Sequence, residues 1–379
     1  MTYDIGFIGT GANPEDPDQD GFAMAYRHAI GYQVLDNCRL TACADIVREN
    51  AEAFAAEYGI DHVYEDYERM LAETEPDIVS VCVPPGIHAD IVIDCAETDI
   101  PSAIHCEKPM ATTWSDCREM VEVCENRGIQ LSFNHQKRFG GPFRAAKSLL
   151  DDGAIGNLER LEFSTEHLYD TGTHLFDICS YMTDDADVEW VMGQVDYREE
   201  NIWFGAHNEN HGLATWEYED GTCGLAVAGA KSDFVGCYLR LRGSKGCIEI
   251  GAADSPRHRI RRGSGWKAFE TNGEDIHGTS PSRVEWVKNY ARQRLPLLST
   301  SSTHSSTYTK RSIAEVVEAL EEGRPCEVGG QSALRATELI FASWESSRRR
   351  ARIDLPLEVD DNPLESMVET GKLDPKPAE

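Results

Sequence analysis

The first 135 residues alternate short apolar runs with amphipathic stretches, and this alternation restricts the fold more than any other feature of the sequence. Segments 5–9, 40–45, 78–84, 102–106 and 129–133 have the length and apolar content of buried strands. Between them, 21–30, 48–58, 66–72, 88–97 and 115–127 read as helices. Buried strands joined by helical crossovers form a parallel sheet covered on both faces, the doubly wound α/β arrangement.

After Pro142 the texture changes. A helix over 143–152 ends at Gly153, and alternating segments follow at 158–167, 188–197, 213–218, 224–230, 238–242 and 247–250. Turn signals at Asp220-Gly221 and Gly243-Ser244-Lys245-Gly246 separate them. This pattern predicts an α+β region with a large, mostly antiparallel open sheet and one helix inserted near 171–182. Further helices are expected near 282–293, 312–322 and 333–349, followed by an extended segment at 353–357; 299–306 is expected as a loop. A chain of 379 residues suits two cores. The domain reading is 1–135, then 136–357 with its last helix packing back on the first domain. The acidic tail 358–379 is expected to be loosely ordered.

The formal charge of −30, from 66 acidic and 36 basic residues, argues against a nucleic-acid partner. Only 10 of the basic residues are Lys, and few Lys beside dense carboxylates points to a salt-rich, halophilic cytoplasm. An acidic mesophilic enzyme is the other reading of the same numbers. No segment resembles a secretion signal or a membrane span. The twelve Cys lack any C-x-x-C pair, and thiols within apolar runs, such as Cys82 and Cys247, read as small core residues of a reduced cytoplasmic protein. The open sheet face favours a homodimer or homotetramer.

The first strand runs into Gly9-Thr10-Gly11-Ala12. A strand, G-x-G and a helix let backbone approach a pyrophosphate, although Pro14 stands where a third glycine is usual and an acidic stretch at 15–20 delays the helix. That stretch begins like a calcium loop, but Arg27 replaces its closing glutamate. Asp45 ends the second strand, where a carboxylate accepts from ribose hydroxyls and favours NAD over NADP; Arg48 would instead welcome a 2′-phosphate. Pro84, Pro85 and His88, and then Glu107 and Lys108, follow strand ends where ligands bind in such sheets. Asp170 and His174, four apart at a helix start, read as a base with an orienting carboxylate, or as a helix cap beside a surface histidine. His207, Glu209 and His211 lack the spacing of a zinc helix, and no metal is expected there.

Taken in order, these motifs resemble the glucose–fructose oxidoreductase, inositol dehydrogenase and MocA family. The resemblance rests on G-x-G at 9–11, Asp45, Pro84-Pro85, His88, Glu107-Lys108-Pro109, Asn134 to Arg138-Phe139, Gly153-Ala154-Ile155-Gly156, Asp170-x-Gly-Thr-His174 and Gly243-Ser244-Lys245-Gly246. It also takes in the ending from Glu345-Ser346-Ser347 to Leu355-Pro356, and so spans nearly the whole chain. It implies an NAD(P)-dependent oxidoreductase acting on a secondary alcohol of a sugar, cyclitol or related polyol. By the same resemblance Lys108 lies beside nicotinamide and substrate, His174 is the general base, and Asp170 supports it. Gly9, Thr10, Gly11, Ala12, Asp45, Pro84, Pro85, His88, Glu107 and Lys108 would meet the cofactor. Asn134, Arg138, Asp170, His174 and Asp177 would meet the substrate. The basic stretch 134–138 is either a seat for an anionic sugar or an exposed loop. Two rival functions keep the fold: a glycoside-cleaving enzyme that oxidises its substrate transiently with no net redox change, and a non-catalytic dinucleotide sensor.

Overall fold

A computed structural model describes residues 2–12, 23–229, 234–279 and 306–377. The first domain is built on six parallel strands: β1 (Tyr3–Ile8), β2 (Cys38–Ala44), β3 (His62–Tyr64), β4 (Ile78–Val81), β5 (Ala103–Cys106) and β6 (Gln130–Phe133). Their order across the sheet is β3-β2-β1-β4-β5-β6. The order reverses between β1 and β4, which opens a crevice at the carboxyl ends of those two strands. Every residue of β4 and β5 is buried, as strands covered on both faces must be. The covering helices are α1 (Met24–Gln33), α2 (Arg48–Tyr58), α3 (Tyr67–Thr74), α4 (His88–Glu97) and α5 (Trp114–Arg127). The sequence reading holds for all but β3, three residues that are too short to show a period.

A helix α6 (Gly141–Asp151) leads into β7 (Leu158–Thr165), α7 (Thr173–Met182) and β8 (Val188–Asp196). A small hairpin, β9 (Ile202–Trp203) with β10 (Ala206–His207), precedes β11 (His211–Tyr218), β12 (Cys223–Gly229), β13 (Leu239–Gly243), β14 (Gly246–Ile250), β15 (Arg259–Arg261) and β16 (Lys267–Ala268). A second small hairpin joins β17 (Glu274–Asp275) to β18 (Gly278–Thr279). Then come α8 (Ser306–Glu322), α9 (Gly330–Arg349), β19 (Ile353–Asp354) and α10 (Pro363–Glu369). The large sheet has the order β16-β15-β14-β13-β7-β12-β11-β8-β19, antiparallel except where β12 runs parallel to β7. One face packs on α7 and α9, with Phe163, Phe176 and Trp216 in edge-to-face and tilted contact at 5.0 and 5.3 Å. The opposite face carries Met192 and Leu213, each 50% exposed, in register with half-buried Leu225 and Val227.

Two late helices complete the first domain. Ile313 and Val317 of α8 join the core of α1 and α2, and α9 packs on α5 and β6 while its other side lies on β8. The tail differs from expectation. Asn362 caps α10 by accepting from Leu364 N–H and Glu365 N–H, and the helix buries Leu364 and Met367. Three residues apart on a helix, those two side chains share one face, enough to dock a short capped turn in an otherwise acidic tail. The helix expected at 282–293, the loop expected at 299–306 except its last residue, the acidic stretch at 15–20 and the first two residues of the helix expected at 21–30 fall outside the described residues.

Candidate active site

Beyond β1 the chain turns sharply at Gly9, whose φ is +81° and whose added Cβ would stand 2.5 Å from Val83 Cγ1. Conformation and space both exclude a side chain there. Thr10 N–H and Gly11 N–H each donate to Asp45 Oδ2 at 2.9 Å, and Thr10 Oγ1 donates to the same oxygen at 3.0 Å. Asp45 Oδ1 accepts from Val47 N–H at 2.9 Å. The carboxylate at the end of β2 therefore braces the glycine loop. Arg48 is drawn away from it by Glu52 at 2.7 Å and Glu65 at 3.7 Å. The cradle at Gly9 to Ala12, with glycines at 9 and 11 and the Thr10 side chain turned to Asp45, fits a dinucleotide beside the sheet's switch point.

Next to the cradle, Pro84 is exposed and Pro85 begins a short 3-10 turn that leads into α4. His88 does not face this opening. It is fully buried, with Nε2 2.8 Å from Val83 O and Nδ1 2.9 and 3.0 Å from Pro109 O and Met110 O. It ties the turn after β4 to the turn after β5, so the expected cofactor contact is instead an internal brace. Glu107 is likewise closed off: Oε1 accepts from Asn134 Nδ2 at 2.6 Å and lies 2.9 Å from His28 Nε2, while Oε2 accepts from Lys108 N–H. Burial opposes its charge, but His28, Asn134 and Lys108 outweigh burial and hold the carboxyl down to about 2. Burial also opposes a charge on His28, and Cys82 and Glu107 lift that imidazole to about 10. Cys82 is thus no core thiol; it is partly exposed at the strand end, 3.5 Å from His28 Nδ1.

The glutamate fixes the backbone of Lys108, and Asp170 fixes its head. Lys108 Nζ donates to Asp170 Oδ1 at 3.0 Å and to Asp170 O at 3.1 Å. Asp170 therefore does not orient His174. The helix carrying His174 starts only at Thr173, so the four-residue spacing does not place the two side chains on one helical face. Behind Asp170, the loop is held by Asn208 Oδ1, which accepts Asp170 N–H at 3.2 Å, and by Glu209 Oε1, which accepts Leu168 N–H. Glu209 Oε2 takes Trp344 Nε1–H at 3.0 Å, so this carboxylate points into the core, away from a site shared with His207 and His211.

His174 is 7% exposed, and its Nδ1 is buried without a hydrogen-bond partner. Burial, followed by the positive charges of Lys108 and Lys137, pushes its pKa well below the usual value. The ring is neutral at physiological pH and ready to take a proton. His135 meets it edge-on with centroids 5.9 Å apart.

Three expected substrate contacts are enclosed in the protein. Asn134 and Asp177 are 0% exposed and Arg138 is 2% exposed. Arg138 Nε donates to Asp177 Oδ2 at 2.8 Å, and its other nitrogens reach Glu327 O, Asp185 and Ser332. Asp177 Oδ1 lies 3.4 Å from His135 Nδ1, and His135 Nε2 lies 3.1 Å from Thr173 Oγ1. The basic stretch is neither a seat nor a loop as a whole: His135 and Arg138 fasten the 3-10 turn Gln136–Phe139 to α7, while half-buried Lys137 bonds the Tyr238 hydroxyl. Sequence reasoning missed His28, His135, Tyr238 and His277. Among these, only the placement of His135 beside residues already singled out gave a signal.

Comparison with known proteins agrees with this fold. Residues 4–135 match an oxidoreductase family described as having an NAD-binding Rossmann fold, and residues 159–355 match the family's C-terminal alpha/beta domain. The chain belongs to the glucose–fructose oxidoreductase, inositol dehydrogenase and MocA family. Its cofactor domain is thus an NAD-binding Rossmann domain, and its second domain carries Asp170 and His174. Relatives include inositol 2-dehydrogenase of Gluconacetobacter diazotrophicus, 32% identical over 52% of this chain and 58% of that one. Another is 2,7-anhydro-N-acetylneuraminate hydratase of Mediterraneibacter gnavus, 25% identical over 58% of this chain and 62% of that one. The chain therefore matches roughly three-fifths of the length of these relatives. A solved oxidoreductase from Agrobacterium radiobacter in complex with NAD+, L-tartaric acid and magnesium shares the fold, with a TM-score of 0.72 at 19% identity over 93% of this chain and 98% of that one.

Proposed function

We propose that the protein oxidises, reversibly, a secondary alcohol of a sugar, cyclitol or related polyol with NAD as hydride acceptor. One observation carries the reading: Lys108, just past β5 of the first domain, lies close enough to His174 of the second for its charge to lower that imidazole's pKa, with Asp170 holding the lysine head. Gly9 to Ala12 would hold the pyrophosphate of the dinucleotide, whose nicotinamide would supply the acceptor for the hydride that leaves the carbinol carbon. Neutral His174 accepts the hydroxyl proton, and the preorganised Lys108 ammonium stabilises the negative charge that grows on that oxygen. In reverse, protonated His174 returns the proton while Lys108 polarises the carbonyl. Asp45 favours NAD because a carboxylate at this place repels a 2′-phosphate, and Arg48 is already engaged elsewhere.

Two features of the whole chain extend this reading. The charge of −30 supports work in a salt-rich cytoplasm, where counterions screen the acidic surface. The open sheet face supports a homo-oligomer in which a second copy covers Met192 and Leu213.

Lys108→Ala and His174→Ala test the site. Each is expected to lower kcat by roughly 10²–10⁴-fold while leaving NAD affinity within a few-fold. Near-normal turnover in either variant refutes the assignment. Release of an aglycone with no net NADH formation would favour the closed-cycle glycosidase instead.

A further inference from the structure

In a chain with 66 acidic and 36 basic residues, a cation ordinarily finds a carboxylate, as Lys147 finds Asp151 and Asp184, and Arg240 finds Glu162 and Glu249. Lys137 does not. Among the described residues its ammonium bonds the Tyr238 hydroxyl and lies 4.6 Å from the centroid of that ring, with no carboxylate in ion-pair range. The short turn that carries it cannot swing away. His135 and Arg138, on either side, are buried and fastened to Thr173 and Asp177 on the helix that bears His174. Lys137 itself bonds Tyr238 and lies close enough to His174 for its charge to oppose protonation of that ring. His277 feels the same ammonium. Lys108, the other cation at this place, is already compensated by Asp170.

We propose that Lys137, Tyr238 and His277 form a subsite for a carboxylate on the substrate, so that the alcohol presented to His174 belongs to a sugar acid. This rests on the reading that Lys108 and His174 mark the reacting carbon. One ammonium without an ion-pair partner among the described residues matches one negative charge. Burial and Lys137 lower the His277 pKa against the opposing charges of Asp275 and Glu166, which keeps that imidazole neutral, and the nearby Arg257 guanidinium is paired with Asp275. A phosphate, carrying about −1.5 to −2 charges, calls for more donors than this.

The test is calorimetric binding of D-glucuronate and D-gluconate to the NADH-loaded protein. Methyl α-D-glucopyranoside and myo-inositol serve as neutral controls and D-glucose 6-phosphate as the phosphate control. The acids are expected to bind at least about tenfold tighter than the neutral compounds, on the scale of a single charge-assisted contact. Lys137→Gln should bring them down to the neutral level, and Lys137→Arg should restore most of the difference. Equal binding of neutral and acidic compounds overturns the subsite. So does tighter binding of the phosphate, no binding of either acid, or acid binding unchanged in Lys137→Gln. Acids that bind through Lys137 but never reduce NAD would leave the subsite standing and overturn the dehydrogenase reading.

Discussion

At the scale of single residues, the chemistry depends on His174 staying neutral. Its burial and the cations around it lower its pKa, so the basic form persists to lower pH than in an ordinary histidine. The kcat/KM for alcohol oxidation, which reports the free enzyme, should therefore stay level from neutrality to below pH 6.5 before falling. Lys137→Gln removes one opposing charge and should move that acid limb upward. An acid limb at or above pH 6.5 in the unaltered protein contradicts this account of the base. Lys108, Asp170 and His174 stand out in the sequence because their motifs fix residue type and order, and the structure joins Lys108 to Asp170. The partnership was not: a spacing of four implies a shared face only inside a helix, and this helix begins after Asp170. Nor does sequence tell a buried Asn, Arg or Asp from an exposed one. Asn134, Arg138 and Asp177 were therefore assigned to substrate although their partners lie within the protein.

At the scale of elements, the site is assembled by clamps between segments far apart in the chain. Arg138 and Asp177 join the turn after β6 to α7, and both are almost wholly buried. Removing one partner strands a buried charge, so Arg138→Met should cost about 3–5 kcal/mol in denaturant unfolding. Arg138→Met combined with Asp177→Leu should cost less than the sum of the two single changes, since no lone charge remains. Additive losses would mean that the pair does not act as a unit. The strands and helices of the first domain were readable because buried parallel strands and amphipathic helices differ in period and length. The hairpins β9–β10 and β17–β18 are too short to carry any period, and the docking of α10 depends on two apolar residues and a cap.

At the scale of the molecule, two domains share a boundary that the linear sequence draws only in part. Helices α8 and α9 come late in the chain yet complete the covering of the first domain, because the core they fill was left open by the earlier helices. The sheet face opposite α9 is apolar near Met192 and Leu213 and charged near Glu162, Arg240 and Glu249. Light scattering in high salt is expected to give a mass of two or four chains, and Leu213→Glu should reduce it to one. A single-chain mass for the unaltered protein would remove the oligomer from the account. The most direct test of the central claim is the appearance of NADH absorbance with a panel of sugar acids, aldoses, cyclitols and their glycosides, run on the unaltered protein and on Lys108→Ala. The account predicts NADH from at least one class and its loss in the variant; no NADH from any class, with NAD still bound, would contradict it.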